Sequence, residues 1–347
     1  MSKVITGTGS YLPEVVVTND DIEASSADFD AIRSGSTLHE WVMKRVGVES
    51  RRNVAPGEGS SDLAIEAGRR ALDDAGRRGE DLDLIVLSTF SSDYRLPGTI
   101  SIVQDALGST AKCFQLEAAC AGFIDGIITA AALMDSMGYR RALVVHTEVL
   151  SQFLHPERFM HRTIFGDGAG AVILEERDDP EHGLRAQTTY TDGSIGSWTF
   201  IRNGTKAPIT EEALDTGSHY LELDHKNVYR LAVAKMAEMT TEVVDRAGSS
   251  VEAVDWFVPH QTGMNIIEDV AKQLGAPMDR FRICIDHTGN TSGATIPIAL
   301  DEARRAGDLH DGDHIVLTSV GGGMAWGAVY LVWADPDRLR AERTGEG

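Results

Sequence analysis

Three residues with reactive side chains stand at matching places in this chain. Cys120 closes the start of the run LEAACAGF (Leu116–Phe123). Strand-like alternation in AKCFQL precedes it, and apolar residues at Phe123, Ile127, Ala130, Ala131 and Met134 follow at helical spacing. Cys120 is therefore expected where a strand turns into a helix N-terminus, a place where unpaired N–H groups and the helix dipole stabilise a thiolate. His260 ends the apolar strand of VDWFVPHQTG, and Asn290 sits in the turn of FRICIDHTGNTSGATIP. Side chains just past strand C-termini converge in the crevice where α/β sheets bind ligands. Each has a plain structural reading as well: a free cysteine is commonly a small core residue, and a turn asparagine often bonds only its own backbone. Two chemistries can use the three together. In a papain-type hydrolase His takes the thiol proton and Asn orients His. In an acyl-carrying enzyme Cys holds a thioester, while His and Asn donate hydrogen bonds to a carbonyl becoming an enolate. The hydrolase reading is weakened by the missing CGSCW run and by the lack of a signal peptide or disulfide pattern.

The elements that must position these residues alternate. Strands are predicted at Lys3–Thr8, Leu82–Thr89, Cys113–Leu116, Arg141–Thr147 and Gly170–Glu175, then at Leu184–Thr191, Tyr220–Leu223, Val254–Val258, Arg282–Ile285, His314–Ser319 and Ala328–Ala334. Helices are predicted at Leu38–Val46, Ser61–Ala75, Pro97–Leu107, Ala121–Met137, Asn227–Ala247, Gly263–Leu274 and Ile296–Ala306. Thr37 and Glu40 form a capping-box pattern at the first of them. This is an α/β pattern. The acidic EERDDPEHG (Glu175–Gly183) reads as a surface connection, giving two expected halves, 1–176 with the nucleophile and 177–347 with the His/Asn pair. The charged tail from Asp335 is expected to fray, and Ser25–Ser36 to be an exposed loop.

The bulk composition excludes several classes. The chain has 347 residues, 42% hydrophobic and 24% charged, which is ordinary for a globular protein. Cys113, Cys120 and Cys284 have no CxxC spacing, so neither a disulfide framework nor a zinc site is expected, and a reducing cytoplasm fits. A net charge of −21 disfavours nucleic acid and anionic membranes as partners. No signal peptide is evident, and no membrane span is expected. GDGAGA (Gly166–Ala171) lacks the third spaced glycine of a dinucleotide fingerprint and runs into a strand, so it reads as a tight turn. Gly321–Gly323 follow a strand, as a β-turn or as backbone donors that approach a substrate oxygen.

ACAGF, PHQ, GNTSGATIP and GGGMAWGA, with GTGSYLPEVVVTNDDI and FGDGAGAVIL, together resemble the β-ketoacyl-acyl carrier protein synthase III family of the thiolase superfamily. The resemblance runs from about Val4 to Trp333. It implies a thiolase-like α/β fold of duplicated halves in five layers, α-β-α-β-α, and a homodimer. It implies that Cys120 is the acyl-accepting nucleophile, that His260 and Asn290 steer malonyl decarboxylation, and that Gly322 with the Cys120 N–H forms an oxyanion hole. It further implies that Trp41 packs on the coenzyme A adenine, that Arg45 lies on its phosphate side, and that Arg230 lies near a carrier-protein docking face. Gln261, next to the histidine, is expected to contact substrate. The substrates implied are an acyl-CoA and a malonyl thioester on acyl carrier protein or coenzyme A, with no metal, flavin or nicotinamide. An acyltransferase of the same fold, passing the acyl group to an alcohol or amine, stays open as an alternative.

Several residues depart from the family pattern. Leu96 replaces a Phe that reaches across the dimer to cap the primer pocket, which suggests a primer longer or more branched than acetyl. Phe159 stands where an adenine-stacking Arg is often found, and His225 replaces a small residue near the pantetheine tunnel. Gly263 and Asn265 replace an Asn and a basic residue, with Glu268 and Asp269 following, which weakens a positive docking patch. Glu117 is an acid three residues before the nucleophile. These departures point toward secondary-metabolite chain initiation rather than housekeeping fatty-acid initiation.

Overall fold

The computed structural model describes residues Met1–Thr344. Two sheets form its frame. The first contains β1 (Ser2–Tyr11), β4 (Leu84–Ser88), β5 (Lys112–Leu116), β6 (Arg141–Glu148) and β7 (Gly168–Arg177) in the order β1-β7-β6-β4-β5. The second contains β8 (Gly183–Thr191), β11 (Trp256–Pro259), β12 (His314–Gly321) and β13 (Ala325–Val332) in the order β11-β12-β13-β8. Both repeat one plan: a parallel pair (β4/β6, β11/β12), an antiparallel hairpin (β6/β7, β12/β13) and an antiparallel outer strand (β1, β8). Two short ribbons complete the strands: β2 (Val15–Thr18) with β3 (Ser50–Asn53), and β9 (Thr199–Phe200) with β10 (Glu222–Leu223).

The layering follows from side-chain alternation along strands that are apolar on both faces. Leu84 and Val86 of β4 face a central core with Ile315 and Leu317 of β12 and with the helices Gly122–Met137 and Thr295–Ala306. Ile85 and Leu87 face outward onto the helices Ser60–Ala75 and Thr99–Ala106. On the second sheet Phe257, Val316 and Val320 face the helices His225–Arg246 and Met264–Leu274. The result is five layers, α-β-α-β-α. The central helix also accounts for one compositional surprise: Ala119–Met137 is long and apolar enough to cross a membrane, contrary to expectation. It lies between the two sheets, where apolar side chains are needed on more than one face.

Other expectations change. Arg282–Ile285 is not a strand. Phe281 makes one bridge to Phe257, and the chain then enters the turn Ile285–Thr288. Within Tyr220–Leu223 only Glu222 and Leu223 pair with a neighbour. Ser25–Ser36 carries a capped turn, Ala31–Ser34, and Ile32 there is 95% exposed. The tail does not fray within the described residues. It forms the helix Pro336–Thr344, which buries Leu339 against Val4 and Ala334 and pairs Asp337 with Arg304.

Candidate active site

Cys120, His260, Asn290 and Gly322 meet at one cavity of about 1220 Å³, although they come from both halves. Cys120 lies in the tight turn Ala119–Ala121, immediately before the central helix Gly122–Met137. Its Sγ accepts a hydrogen bond from Ser292 Oγ at 3.4 Å, and its carbonyl accepts one from Ser319 Oγ at 2.7 Å. The backbone N–H groups of Cys120 and Gly322 both bear on Sγ, so two donors converge where a tetrahedral oxygen would form. Gly321 must be glycine for this approach: a Cβ there would stand 2.5 Å from Ala121 N and 2.9 Å from Cys120 N.

The helix N-terminus does not win the contest over the thiol. Burial pushes Cys120 up to about 11; the Ser292 hydrogen bond opposes this, and the Glu148 charge adds to it. The thiol is therefore protonated at neutral pH. His260 is pushed the other way, down to about 3, chiefly by burial and then by His146. The pair is neutral, unlike the thiolate–imidazolium pair of a cysteine hydrolase.

His260 is fully buried. Its Nδ1 lies 2.7 Å from Thr295 Oγ1, and its Nε2 has no protein partner among the described residues. The Thr295 hydroxyl also accepts the Gln261 N–H at 3.1 Å and donates to the Ser292 carbonyl at 3.0 Å. Asn290 is held at both ends of its backbone: its N–H donates to the Ile164 carbonyl at 2.8 Å, and its carbonyl accepts from the Gly166 N–H at 3.1 Å. Its Oδ1 accepts from Ser292 N–H at 2.8 Å, which leaves the NH2 end for the cavity.

The remaining candidates divide. Arg45, His225, Gly263 and Asn265 line the same cavity. Trp41 and Phe159 stand behind Arg45 at the rim, ring centroids 5.5 Å apart, with the Arg45 guanidinium 4.4 Å over the indole. His225 Nε2 lies 3.1 Å from His161 Nε2. Burial, then His225 and Arg158, push His161 down to about 4, and burial lowers His225. Arg230 is exposed on its helix, outside the cavity, and Leu96 is 89% exposed. Gln261 does not reach substrate space. Its amide donates to the Pro259 and Arg282 carbonyls and accepts from Cys284 N–H, which ties the strand carrying His260 to the next segment. Burial and the Glu148 charge raise Glu117, which lines the cavity. Ser292, Thr295, His146 and Glu148 escaped the sequence reading. The only signal was a run of hydroxyls in GNTSGATIP and two polar residues ending an apolar strand.

A duplicated five-layer α/β frame with a cysteine at the entrance of its central helix is the thiolase-like fold, and the comparisons with known proteins agree. The family model for 3-oxoacyl-(acyl-carrier-protein) synthase III matches residues 114–193, and that for the C-terminal part of the same family matches residues 244–333. β-Ketoacyl-(acyl-carrier-protein) synthase III of Neisseria meningitidis is 39% identical over 94% of this chain and 98% of its own length. That of Clostridium acetobutylicum is 38% identical over 95% and 98%. Among solved structures, the Pseudomonas aeruginosa 3-oxoacyl-(acyl carrier protein) synthase III has a TM-score of 0.86 at 35% identity, covering 96% of this chain and 99% of that one. The priming β-ketosynthase of a polyketide biosynthetic pathway has a TM-score of 0.86 at 30% identity, covering 96% and 97%. The chain belongs to the 3-oxoacyl-(acyl-carrier-protein) synthase III family of condensing enzymes.

Proposed function

We propose that this protein catalyses decarboxylative Claisen condensation between an acyl group held on Cys120 and a malonyl thioester. The observation that carries the reading is the neutral, buried His260 with a free Nε2, set beside Asn290 and the Cys120 thiol in one cavity. An imidazole that stays neutral can donate to an oxygen gaining charge without first losing a proton of its own.

In the first half-reaction the Cys120 sulfur attacks the acyl-CoA carbonyl. The C–S bond to coenzyme A breaks, and the leaving thiolate takes the proton that Cys120 loses. The N–H groups of Cys120 and Gly322 hold the tetrahedral oxygen. In the second, the bond to the malonyl carboxylate breaks, carbon dioxide leaves, and the electron pair passes into an enolate. The Thr295 hydroxyl holds the imidazole at Nδ1, so the Nε2 edge of the ring stays aimed into the cavity toward the enolate oxygen. The Asn290 NH2 is the second donor. The enolate carbon then attacks the Cys120 thioester, and the cysteine sulfur leaves. No metal or redox cofactor enters these steps, and the coenzyme A thioester is a substrate.

Phe90, Leu150, Phe153, Phe165, Ile201 and Leu221 give the cavity an apolar wall, which supports a primer longer than acetyl. Arg45, with Trp41 and Phe159 at the rim, suits a coenzyme A nucleotide. Arg230 is the proposed contact for acyl carrier protein. β5 is an edge strand with Cys113, Phe114 and Leu116 half-exposed, which supports a homodimer built on that edge. The enzyme is placed in the cytoplasm with its thioester substrates, at the start of a polyketide or other secondary-metabolite chain. Intact-protein mass after mixing with short, branched and medium acyl-CoAs tests the reading. A gain in wild type and none in Cys120→Ala, followed by loss of the adduct and release of carbon dioxide with malonyl-acyl carrier protein, is expected. Transfer to an alcohol or amine with no carbon dioxide release would establish the acyltransferase alternative instead.

A further inference from the structure

Behind the nucleophile lies a buried pair that the steps above do not use. Ser88 of β4 and His146 of β6 are register partners on neighbouring parallel strands, and both are buried. Neither ring nitrogen of His146 has a hydrogen-bond partner among the described residues. The ring packs directly beneath the catalytic turns. A Cβ at Gly293 would stand 2.5 Å from His146 Cε1, 2.6 Å from its Nδ1 and 3.0 Å from the Cys120 carbonyl oxygen. A Cβ at Gly122 would stand 3.2 Å from the same Cε1. Two glycines thus let one imidazole touch both the Cys120 turn and the Asn290 loop.

Two residues along β6, Glu148 is fully buried. Its carboxylate accepts from the N–H groups of Phe90 and Ser91, each at 3.1 Å, and from the hydroxyls of Ser91 at 2.6 Å and Thr89 at 3.3 Å. Four donors are aimed at this carboxylate, and a counter-charge further stabilises a carboxylate charge taken out of water. Among the described residues, the cation-forming side chain at ion-pair distance is His146, with Nε2 3.5 Å from Glu148 Oε1. The contact lacks hydrogen-bond alignment, so what the geometry offers is charge pairing.

We propose that His146 is a positioning residue, held as an imidazolium against Glu148, and that this pairing shields Cys120 from a bare carboxylate so that the thiol can ionise for acylation. The proposal rests on Cys120 being the acyl carrier. The other titratable groups around the pair are Cys120 and Glu117 on the strand-to-helix turn and His260 beyond β11. Asp125 of the central helix is turned onto Thr189 Oγ1, Asp167 onto Ser151 and the Val54 N–H, and Asp74 of the outer helix onto the Thr8 N–H. None of these three faces the pair.

The test is the rate of Cys120 alkylation by iodoacetamide across pH 6.5 to 9.5, read by intact mass on the full-length protein. Iodoacetamide needs only the thiolate. A wrong primer or a wrong condensing reading therefore leaves this result untouched, and normal pairing in an enzyme that no acyl-CoA acylates would count against the acyl reading alone. His146→Gln is expected to alkylate about tenfold more slowly at each pH, equivalent to about one unit in the thiol pKa. The double variant His146→Gln/Glu148→Gln is expected to return to within about threefold of wild type, a coupling that double-mutant cycles resolve. A merely structural role for the ring would not produce that rescue. Wild-type rates in His146→Gln, or a double variant as slow as the single, would overturn the proposal. Where the glutamine variant fails to fold, 15N-histidine spectra of the wild type decide. An imidazolium at pH 7.5 that Glu148→Gln removes is expected, besides the one from His287 between Asp286 and Glu302. Its absence would be equally fatal.

Discussion

Thr295→Val isolates the positioning of the His260 ring. Three contacts converge on this hydroxyl: His260 Nδ1 at 2.7 Å, Gln261 N–H at 3.1 Å and the Ser292 carbonyl at 3.0 Å. Valine keeps the shape and removes all three. The buried Gln261 N–H loses its acceptor, which costs about 1–3 kcal/mol of stability, so the melting temperature falls while the protein still folds. The chemical consequence differs between the two half-reactions. Apart from the Ser292 backbone, which also bears on the ring, no other group among the described residues holds the His260 side chain, so without Thr295 the ring is free to turn its Nε2 edge away from the enolate oxygen. A donor aimed at a developing oxyanion is worth about 2.7–4 kcal/mol. Losing most of it should slow malonyl decarboxylation about 10²-fold, while acylation of Cys120 uses the backbone N–H groups of Cys120 and Gly322 and keeps its rate. Intact mass measures acylation, and carbon dioxide release from malonyl thioester measures decarboxylation. Unchanged decarboxylation, or equal loss in both steps by a folded variant, would refute the reasoning. The same argument fixes a pH dependence. With His260 down to about 3, the wild-type decarboxylation rate should show no acid limb near pH 6.5.

Asn290→Asp replaces a donor by a carboxylate beside the forming enolate, so condensation should fall by about 10²–10³ while Cys120 still acylates; full condensation by this variant would remove Asn290 from the site. Trp41→Ala removes the indole that Arg45 and Phe159 pack against. It should raise KM for acyl-CoA about tenfold, near 1.4 kcal/mol, with kcat unchanged, and a kcat effect alone would place Trp41 elsewhere in function. The depressed His260 pKa also predicts acid sensitivity. The unfolded chain binds a proton below pH 6.5 that the folded state refuses down to about pH 3, so stability falls by up to about 1.4 kcal/mol per pH unit in that window. Urea midpoints of wild type and His260→Asn at pH 7.5 and 5 measure this, and the variant should lose less; equal losses would assign the acid sensitivity to other groups.

Much of the frame could be read from local pattern, because strands such as Leu84–Leu87 are short unbroken apolar runs and helices such as Ser60–Ala75 keep their apolar residues at helical spacing. The reading failed where tertiary contacts decide. Arg282–Ile285 looks like a strand, and the second sheet has the place for one beside β11. The chain instead turns at Ile285–Thr288 to bring Asn290 to Ile164, so only the Phe281 bridge forms. The charged tail helix is held by one leucine and by ion pairs to a distant helix, a partnership invisible in its own composition. Gln261 belongs to the PHQ motif, whose resemblance implies substrate contact, yet its amide is used up by backbone groups of Pro259, Arg282 and Cys284. Cys120 was located correctly, but the helix dipole suggested the wrong direction for its thiol. A dipole acts with roughly half a charge at the terminus, whereas burial removes the solvation of a whole one, and burial prevails.

The same competition explains where strain is stored. Among the described residues, three non-glycine residues have positive φ: Ala119 at 44°, Ser292 at 57° and Met324 at 41°. Each such residue costs about 1–3 kcal/mol and persists only when its surroundings over-determine it. The three come from separate segments in both halves, and all three line the cavity. Ala119 turns Cys120 out of the strand, Ser292 brings its hydroxyl to Sγ and its N–H to Asn290, and Met324 follows the glycines whose N–H faces the thiol. None of the three carries a sequence signal, because alanine, serine and methionine are ordinary residues with no preference for that conformation. What holds them is the central layer. There the helices Gly122–Met137 and Thr295–Ala306 are clamped between two sheets, and each begins beside one of these strained turns. The chemistry therefore depends on burying that layer, and a substitution that loosens it should reduce acylation before it unfolds the protein.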